Sequence, residues 1–232
     1  MTTVKSYRLA LPLAAALLST GCISLPLPEA PEPSPRPTYP IVVDEFTPIL
    51  ERTRASSYAY SVDGTLPGGK KLAASGAFDA KAKRLVSKLE ITPGSLQSGY
   101  QEVRANGKET WIKIGAMDWQ SRRGFDLTDP TGLNSFAEAI QDVRLAGPNL
   151  YWVYVKTDSN VVQGYSFLPI GAPGTVSAYS PLGGAIRVNV TTDGAGLITS
   201  FVIEADSDGQ KHRLTTTLSG HGQPVIVPVT KR

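Results

Sequence analysis

The stretch Ala185–Gly222, "AIRVNVTTDGAGLITSFVIEADSDGQKHRLTTTLSGHG", alternates apolar and polar residues in short runs separated by turn formers. Asp193-Gly194 and Asp208-Gly209 lie between such runs and read as tight hairpin turns. Strands joined this closely can only pair antiparallel, because a parallel pair needs a crossover of a dozen residues or more. The pattern recurs upstream. "SYAYSVDGTL" puts Tyr58, Tyr60 and Val62 on one face against Ala59, Ser61 and Asp63 on the other. "KLAASGAFDA" and "KRLVSKLEI" follow, the latter aligning Leu85, Leu89 and Ile91, and "TWIKIG" sets Ile112 and Ile114 opposite Trp111 and Lys113. With "PVIVPV" near the end, the chain offers about eight or nine strands, enough for a sheet that curls.

Two segments break this period. In "VDEFTPILERTRASS", Phe46, Ile49, Leu50 and Thr53 share a helical face, Asp44 reads as the N-cap, and Pro48 falls in the first turn. In "DPTGLNSFAEAIQDVRLAG", Phe136, Ile140 and Val143 recur at helical spacing, with Asn134 or Ser135 as cap and Gly147 as the stop. A sheet with one apolar face needs a cover, and these helices are what the chain supplies. The stretch 161–181 is rich in Gly and Pro and reads as a loop crossing or lid.

The front of the chain is of another kind. Lys5 and Arg8 precede a wholly apolar run from Leu9 to Leu18, as in a secretory signal peptide covering residues 1–21. Leu18-Ser19-Thr20-Gly21-Cys22 resembles the bacterial lipobox, which makes Cys22 a diacylglyceryl cysteine carrying acyl chains such as palmitate. Cys22 is the only cysteine of the chain, and a lone thiol in an exported protein is unusual unless it is used. Seven prolines between Pro26 and Pro40 make residues 22–43 a semi-rigid polyproline tether. The expected location is the outer face of the cell membrane, lipid-anchored, with the domain 44–232 held off the bilayer. About 190 residues after the tether suffice for one domain with a real core. The formal charge of +3, less Lys5 and Arg8, leaves about +1 for the mature chain; with no basic run, nucleic acid is not an expected partner.

The order of elements carries a resemblance. Trp111–Gly115, then Trp119, then Asp129-Pro130-Thr131-Gly132-Leu133 leading into a helix, and a last run after His221-Gly222-Gln223-Pro224-Val225, is similar to the LolA-like lipid-binding lipoproteins. The likeness is to their actinobacterial LprG/LppX-type branch, with His221 where that branch has Tyr. The resemblance implies an α+β fold, a curved antiparallel β half-barrel wrapped over one or two helices, with an apolar pocket for acyl chains.

Catalytic chemistry finds little to work with, and no enzyme is expected. The histidines are only His212 and His221, Cys22 is committed to the anchor, and no nucleophile elbow, His-Glu-x-x-His or Cys-x-x-Cys occurs. Asp206-Ser207-Asp208-Gly209 mimics the start of a calcium loop but lacks the closing glutamate, so a hairpin tip explains it and no metal or cofactor is expected. The candidate site residues are the inward apolar set: Tyr58, Tyr60, Val62, Leu85, Leu89, Ile112, Ile114, Leu133, Phe136, Ile140, Ile186 and Val188. Two readings stay open for them. They fill a core, or they line a gap left where "LAASGAF" and "GAPGTVSA" supply too little bulk, and a dry apolar gap accepts a hydrocarbon guest. Function divides accordingly: an envelope lipoprotein that binds and transfers a lipid or glycolipid, or a sensor or interaction module, or an accessory surface lipoprotein of host or prophage origin.

Overall fold

A computed structural model describes residues 39–66, 69–93, 99–123, 129–155, 186–207 and 210–229. The signal peptide, Cys22, the Pro-rich stretch before Tyr39, residues 161–181, and Asp208 with Gly209 lie outside the described residues. The chain divides between Pro37 and Thr38, and everything below concerns the unit Thr38–Arg232.

Among the described residues, helix α1 (Val43–Ala55) opens the fold and is followed by β1 (Tyr58–Leu66), β2 (Lys70–Asp79), β3 (Arg84–Thr92), β4 (Tyr100–Asn106), β5 (Glu109–Ile114) and β6 (Gln120–Arg123). Helix α2 (Leu133–Ala139) leads directly into β7 (Ile140–Gly147), then β8 (Leu150–Val155), β9 (Ile186–Thr192), β10 (Ile198–Ser207) and β11 (Gln210–Ser219). All eleven strands form one open antiparallel sheet in the order β6-β5-β4-β3-β2-β1-β11-β10-β9-β8-β7. The first meander therefore runs from the middle outward to one edge. The chain crosses to the other edge through the α2 segment, and a second meander returns to the middle, where β11 pairs with β1.

Helix α1 buries Phe46, Ile49, Leu50 and Thr53, the face expected from the spacing. Its start differs. Val42, not Asp44, is the N-cap, and no side chain caps it. The reason is tertiary: Ile41 forms a bridge with Arg144, the Val42 amide donates to the Val143 carbonyl at 2.9 Å, and the Leu145 amide donates to the Pro40 carbonyl at 3.1 Å. The chain thus runs along the β7 edge before turning into the helix, and Asp44 falls in the first turn, where a carboxylate meets the positive end of the dipole. Pro48 sits further inside the helix than expected. Thr53 docks the far end: its Oγ1 accepts from the buried Ile198 amide at 3.0 Å and donates to the Ile49 carbonyl at 2.9 Å.

Four further expectations need correction. Helix α2 stops at Ala139, so Ile140 and Val143 belong to strand β7 and Gly147 ends that strand, not a helix. The cause is a partner that sequence alone leaves unread: "LYWVYV", aromatic and β-branched, forms β8 and pairs Val143 with Val153 and Ile140 with Val155. Strand pairing overrides the weak preference of a short helix to extend. The cap is also elsewhere. Gly132, with φ of 71°, is the N-cap, Asn134 and Ser135 fall inside the helix, and the Asp129 side chain accepts from the first-turn Leu133 amide. Between β9 and β10 the turn is looser than a two-residue hairpin. Asp193 Oδ1 accepts from the Ala195 and Leu197 amides, both at 2.9 Å, and Gly196, not Gly194, takes the positive φ. "PVIVPV" forms no strand, since Pro224 and Pro228 each lack a ladder donor. Val225 is buried there, but Ile226 and Val229 are exposed.

Candidate functional site

One face of the sheet is mainly apolar from β7 to β5, and the pairing registers show how. A single row crosses ten strands through Leu145, Tyr151, Val190, Phe201, Thr216, Val62, Ala74, Leu89, Gln101 and Ile114. A second row carries Val143, Val153, Val188, Ile203 and Leu214 towards the glycine gap at Gly64 and on to Leu72. Because side chains alternate, every strand adds to this face only at every second residue. The buried members form one cluster, which takes in the α1 face together with Leu133, Phe136 and Ala139 of α2. Phe46 meets Tyr151 at 5.2 Å between ring centroids, and Phe136 stacks on Phe201 at 6.2 Å.

The candidates distribute unevenly over it. Tyr58, Tyr60, Val62, Leu85, Leu89, Leu133, Phe136 and Val188 are all buried in the cluster. Ile112 and Ile140 are half-buried and pack against it. Ile114 is a correction: it lies on the inner row but is 41% exposed, at the end of β5 near the β6 edge. Ile186 opens β9, and its side chain is outside the described residues.

Two tyrosines do more than line an apolar face. The Tyr58 hydroxyl donates to Asp129 Oδ1 at 2.7 Å and lies 3.0 Å from Thr131 Oγ1. The same carboxylate accepts from the Thr131 amide at 2.8 Å, the Thr131 hydroxyl at 2.7 Å and the Leu133 amide at 3.1 Å. Asp129 is buried and fully engaged, which a solitary interior carboxylate must be. Burial first, and the Asp129 charge second, push the Tyr58 phenol far above its usual range, so it remains a donor at any ordinary pH. The sequence pattern marks Asp129 only as part of a motif and Tyr58 only as an apolar candidate. The available signal is an Asp three residues before a glycine that opens a helix, an arrangement able to hold first-turn amides.

Tyr60 corrects the idea that small residues of "LAASGAF" leave an inner gap. Its ring reaches over Gly76, its cross-strand partner, and its hydroxyl donates to Ser87 Oγ on β3 at 2.7 Å. The space over Gly76 is thus occupied by a phenol whose pKa burial raises well above normal. A Cβ at Gly76 would stand 2.0 Å from the Val86 carbonyl oxygen and 2.7 Å from the Tyr60 hydroxyl oxygen. Gly76→Ala is therefore expected to lower the unfolding free energy by about 1–3 kcal/mol, read by urea titration. Gly194→Ala, where a Cβ meets nothing within 4 Å, stays within about 0.5 kcal/mol of the parent.

The other small residues of β2 do open space, but on the opposite face. Ala73, Ala74 and Ser75, with Ser61, Asp63, Lys88 and Glu90, border an open recess of about 240 Å³ on the outer side of β1–β3. Next to it the Tyr100 phenol, donating to Glu102, is pushed up to about 12, chiefly by that hydrogen bond. His221 packs near Tyr58, with ring centroids 6.2 Å apart, and its Nε2 lies 2.9 Å from the Ile198 carbonyl oxygen, an acceptor that makes Nε2 the protonated nitrogen.

No family profile matches the sequence, and no curated protein matches it. Among solved structures, an uncharacterised conserved protein from Thermus thermophilus aligns over 76% of this chain and 86% of its own, at 13% identity and a TM-score of 0.38. A LolA superfamily protein from Nitrosomonas europaea aligns over 78% of this chain and 94% of its own, at 10% identity and a TM-score of 0.26. Likenesses of this size assign neither a family nor an activity.

Proposed function

We propose that this chain is an envelope lipoprotein, anchored through Cys22, whose inner sheet face binds a lipid or glycolipid and hands it between the membrane and outer layers. The observation that carries the reading is the width of the apolar face. One row of inward residues spans ten strands, and among the described residues the helices packed on that face are α1 and α2, of 13 and 7 residues. In the half-barrel form of this proposal the sheet curls around an acyl chain. Each methylene buried there contributes about 0.8 kcal/mol, so a single chain needs no charged contact to be held. The lipobox-like residues before Cys22 and the proline run after it support the anchor.

Native mass spectrometry of the chain from Cys22 onward, produced in an actinobacterial host, tests this. The expected result is a co-purifying mass of a phospholipid or glycolipid that disappears on Ile112→Trp, which adds bulk at a half-buried inward position. A ligand-free mass that stays unchanged after incubation with host lipid extract would sink lipid binding and leave a protein-interaction module.

A further inference from the structure

The outer face of β7–β9 groups three aromatic rings with two arginines, while at the opposite edge Arg104 lies over Trp119 at 4.3 Å. Tyr39 meets Trp152 edge-on, with centroids 4.5 Å apart. The Arg187 guanidinium lies over the Trp152 ring at 4.9 Å, and that of Arg144 over Tyr154 at 5.5 Å. Arg144 and Trp152 are register partners, as are Tyr154 and Arg187, so the groups interlock across three strands. Their alternation with inward Val153 and Val188 puts them on the face opposite both helices. Arg144 is bridged by Asp142 at 2.9 Å yet remains 40% exposed, and Arg187 is exposed. Among the described residues no carboxylate bridges Arg187; the nearby Glu204 is 3.8 Å from Arg213. A guanidinium stacked on a ring uses its flat face and keeps its in-plane N–H donors for an anion.

The chain's own course says which anion. Tyr39 is both a member of this cluster and the first described residue after the proline run, which follows Cys22. Sixteen residues separate Cys22 from Tyr39, about 50 Å if fully extended as polyproline. The described chain therefore begins on this face. Tyr and Trp favour the membrane–water boundary, where a ring has one apolar side and one wet side, and arginine pairs with lipid phosphate. We propose that the outer face of β7–β9, through Tyr39, Trp152, Tyr154, Arg144 and Arg187, docks flat on an anionic bilayer surface. It rests on the anchoring reading for its biological setting.

The test replaces the natural anchor, so that it stands whether or not Cys22 is lipidated in the cell. The chain from Cys22 onward is coupled through its single thiol to vesicles of phosphatidylcholine, phosphatidylglycerol and a maleimide-headgroup lipid, with brominated acyl chains as fluorescence quenchers. One variant keeps only Trp152 (Trp111→Phe, Trp119→Phe). A control keeps only Trp119, which leads into β6 at the opposite sheet edge. Docking predicts strong quenching of Trp152, little of Trp119, and loss of the difference at high salt. Arg144→Gln with Arg187→Gln should lower the docked-to-undocked ratio by on the order of tenfold, whereas lysine at both positions should retain most of it. Circular dichroism checks that each variant keeps its sheet. Equal quenching of both tryptophans, no quenching of Trp152, or quenching indifferent to the glutamine pair each overturns the proposal. Natural lipidation is read separately, from the mass at Cys22.

Discussion

Asp129→Ala lowers the unfolding free energy by about 3–5 kcal/mol, the largest loss expected from any single polar substitution in this fold, measured by urea titration against the parent. Four donors converge on this carboxylate: the Tyr58 hydroxyl, the Thr131 amide and hydroxyl, and the Leu133 amide. All belong to buried residues, so alanine leaves several donors dry at once, and water cannot reach them without opening the junction of β1 with α2. The carboxylate also performs the capping that Gly132 lacks a side chain to do. Tyr58→Phe removes one donor and leaves the other three in place, so it should cost only about 1 kcal/mol. The ratio of these two losses is the decisive quantity. If Tyr58→Phe proves as costly as Asp129→Ala, the tyrosine and not the cap would be the centre of the network.

The parts of the fold that were legible share a physical cause. Alternation in "SYAYSVDGTL" locates β1 and its inward face because period two is set by the backbone itself. In the same way, Phe46, Ile49, Leu50 and Thr53 mark the buried face of α1. What escaped depends on partners distant in sequence. β7 reads as helix because "FAEAIQDV" carries both periods, and only pairing of Val143 with Val153 decides between them. Strand β4, "YQEVRAN", alternates weakly, since its inward set pairs Gln101 with Val103 and Ala105, and β3 and β5 on either side recruit it. The candidate site shows the same division. The identities of the inward residues follow from periodicity, but that Tyr60 closes the space over Gly76 depends on the register between β1 and β2, which no local pattern states. Likewise, the cap role of Asp129 is local in sequence, while its bond to Tyr58 spans 71 residues.

Phe136→Ala should cost about 3–5 kcal/mol and do so in a way that reports on the inner face. The ring is fully buried and stacks on Phe201 at 25° between planes. Truncation leaves a void that rigid strands on one side cannot collapse to fill. Helix α2 has only seven residues, too few to be stable apart from what it packs against. Its hold on the sheet comes from Leu133, Phe136 and Ala139, each fully buried. Losing the largest of the three should therefore free the helix before the sheet melts. Hydrogen exchange would show this as faster exchange confined to residues 133–139, with β1, β10 and β11 still protected. Phe136→Leu, which keeps most of the volume, should restore both stability and protection. Were Phe136→Ala instead to cost about 1 kcal/mol or less, with exchange unchanged, α2 would be held by its junctions alone. The apolar face beneath it would then be available without displacing the helix, and the lipid-binding proposal would gain a direct route to that surface.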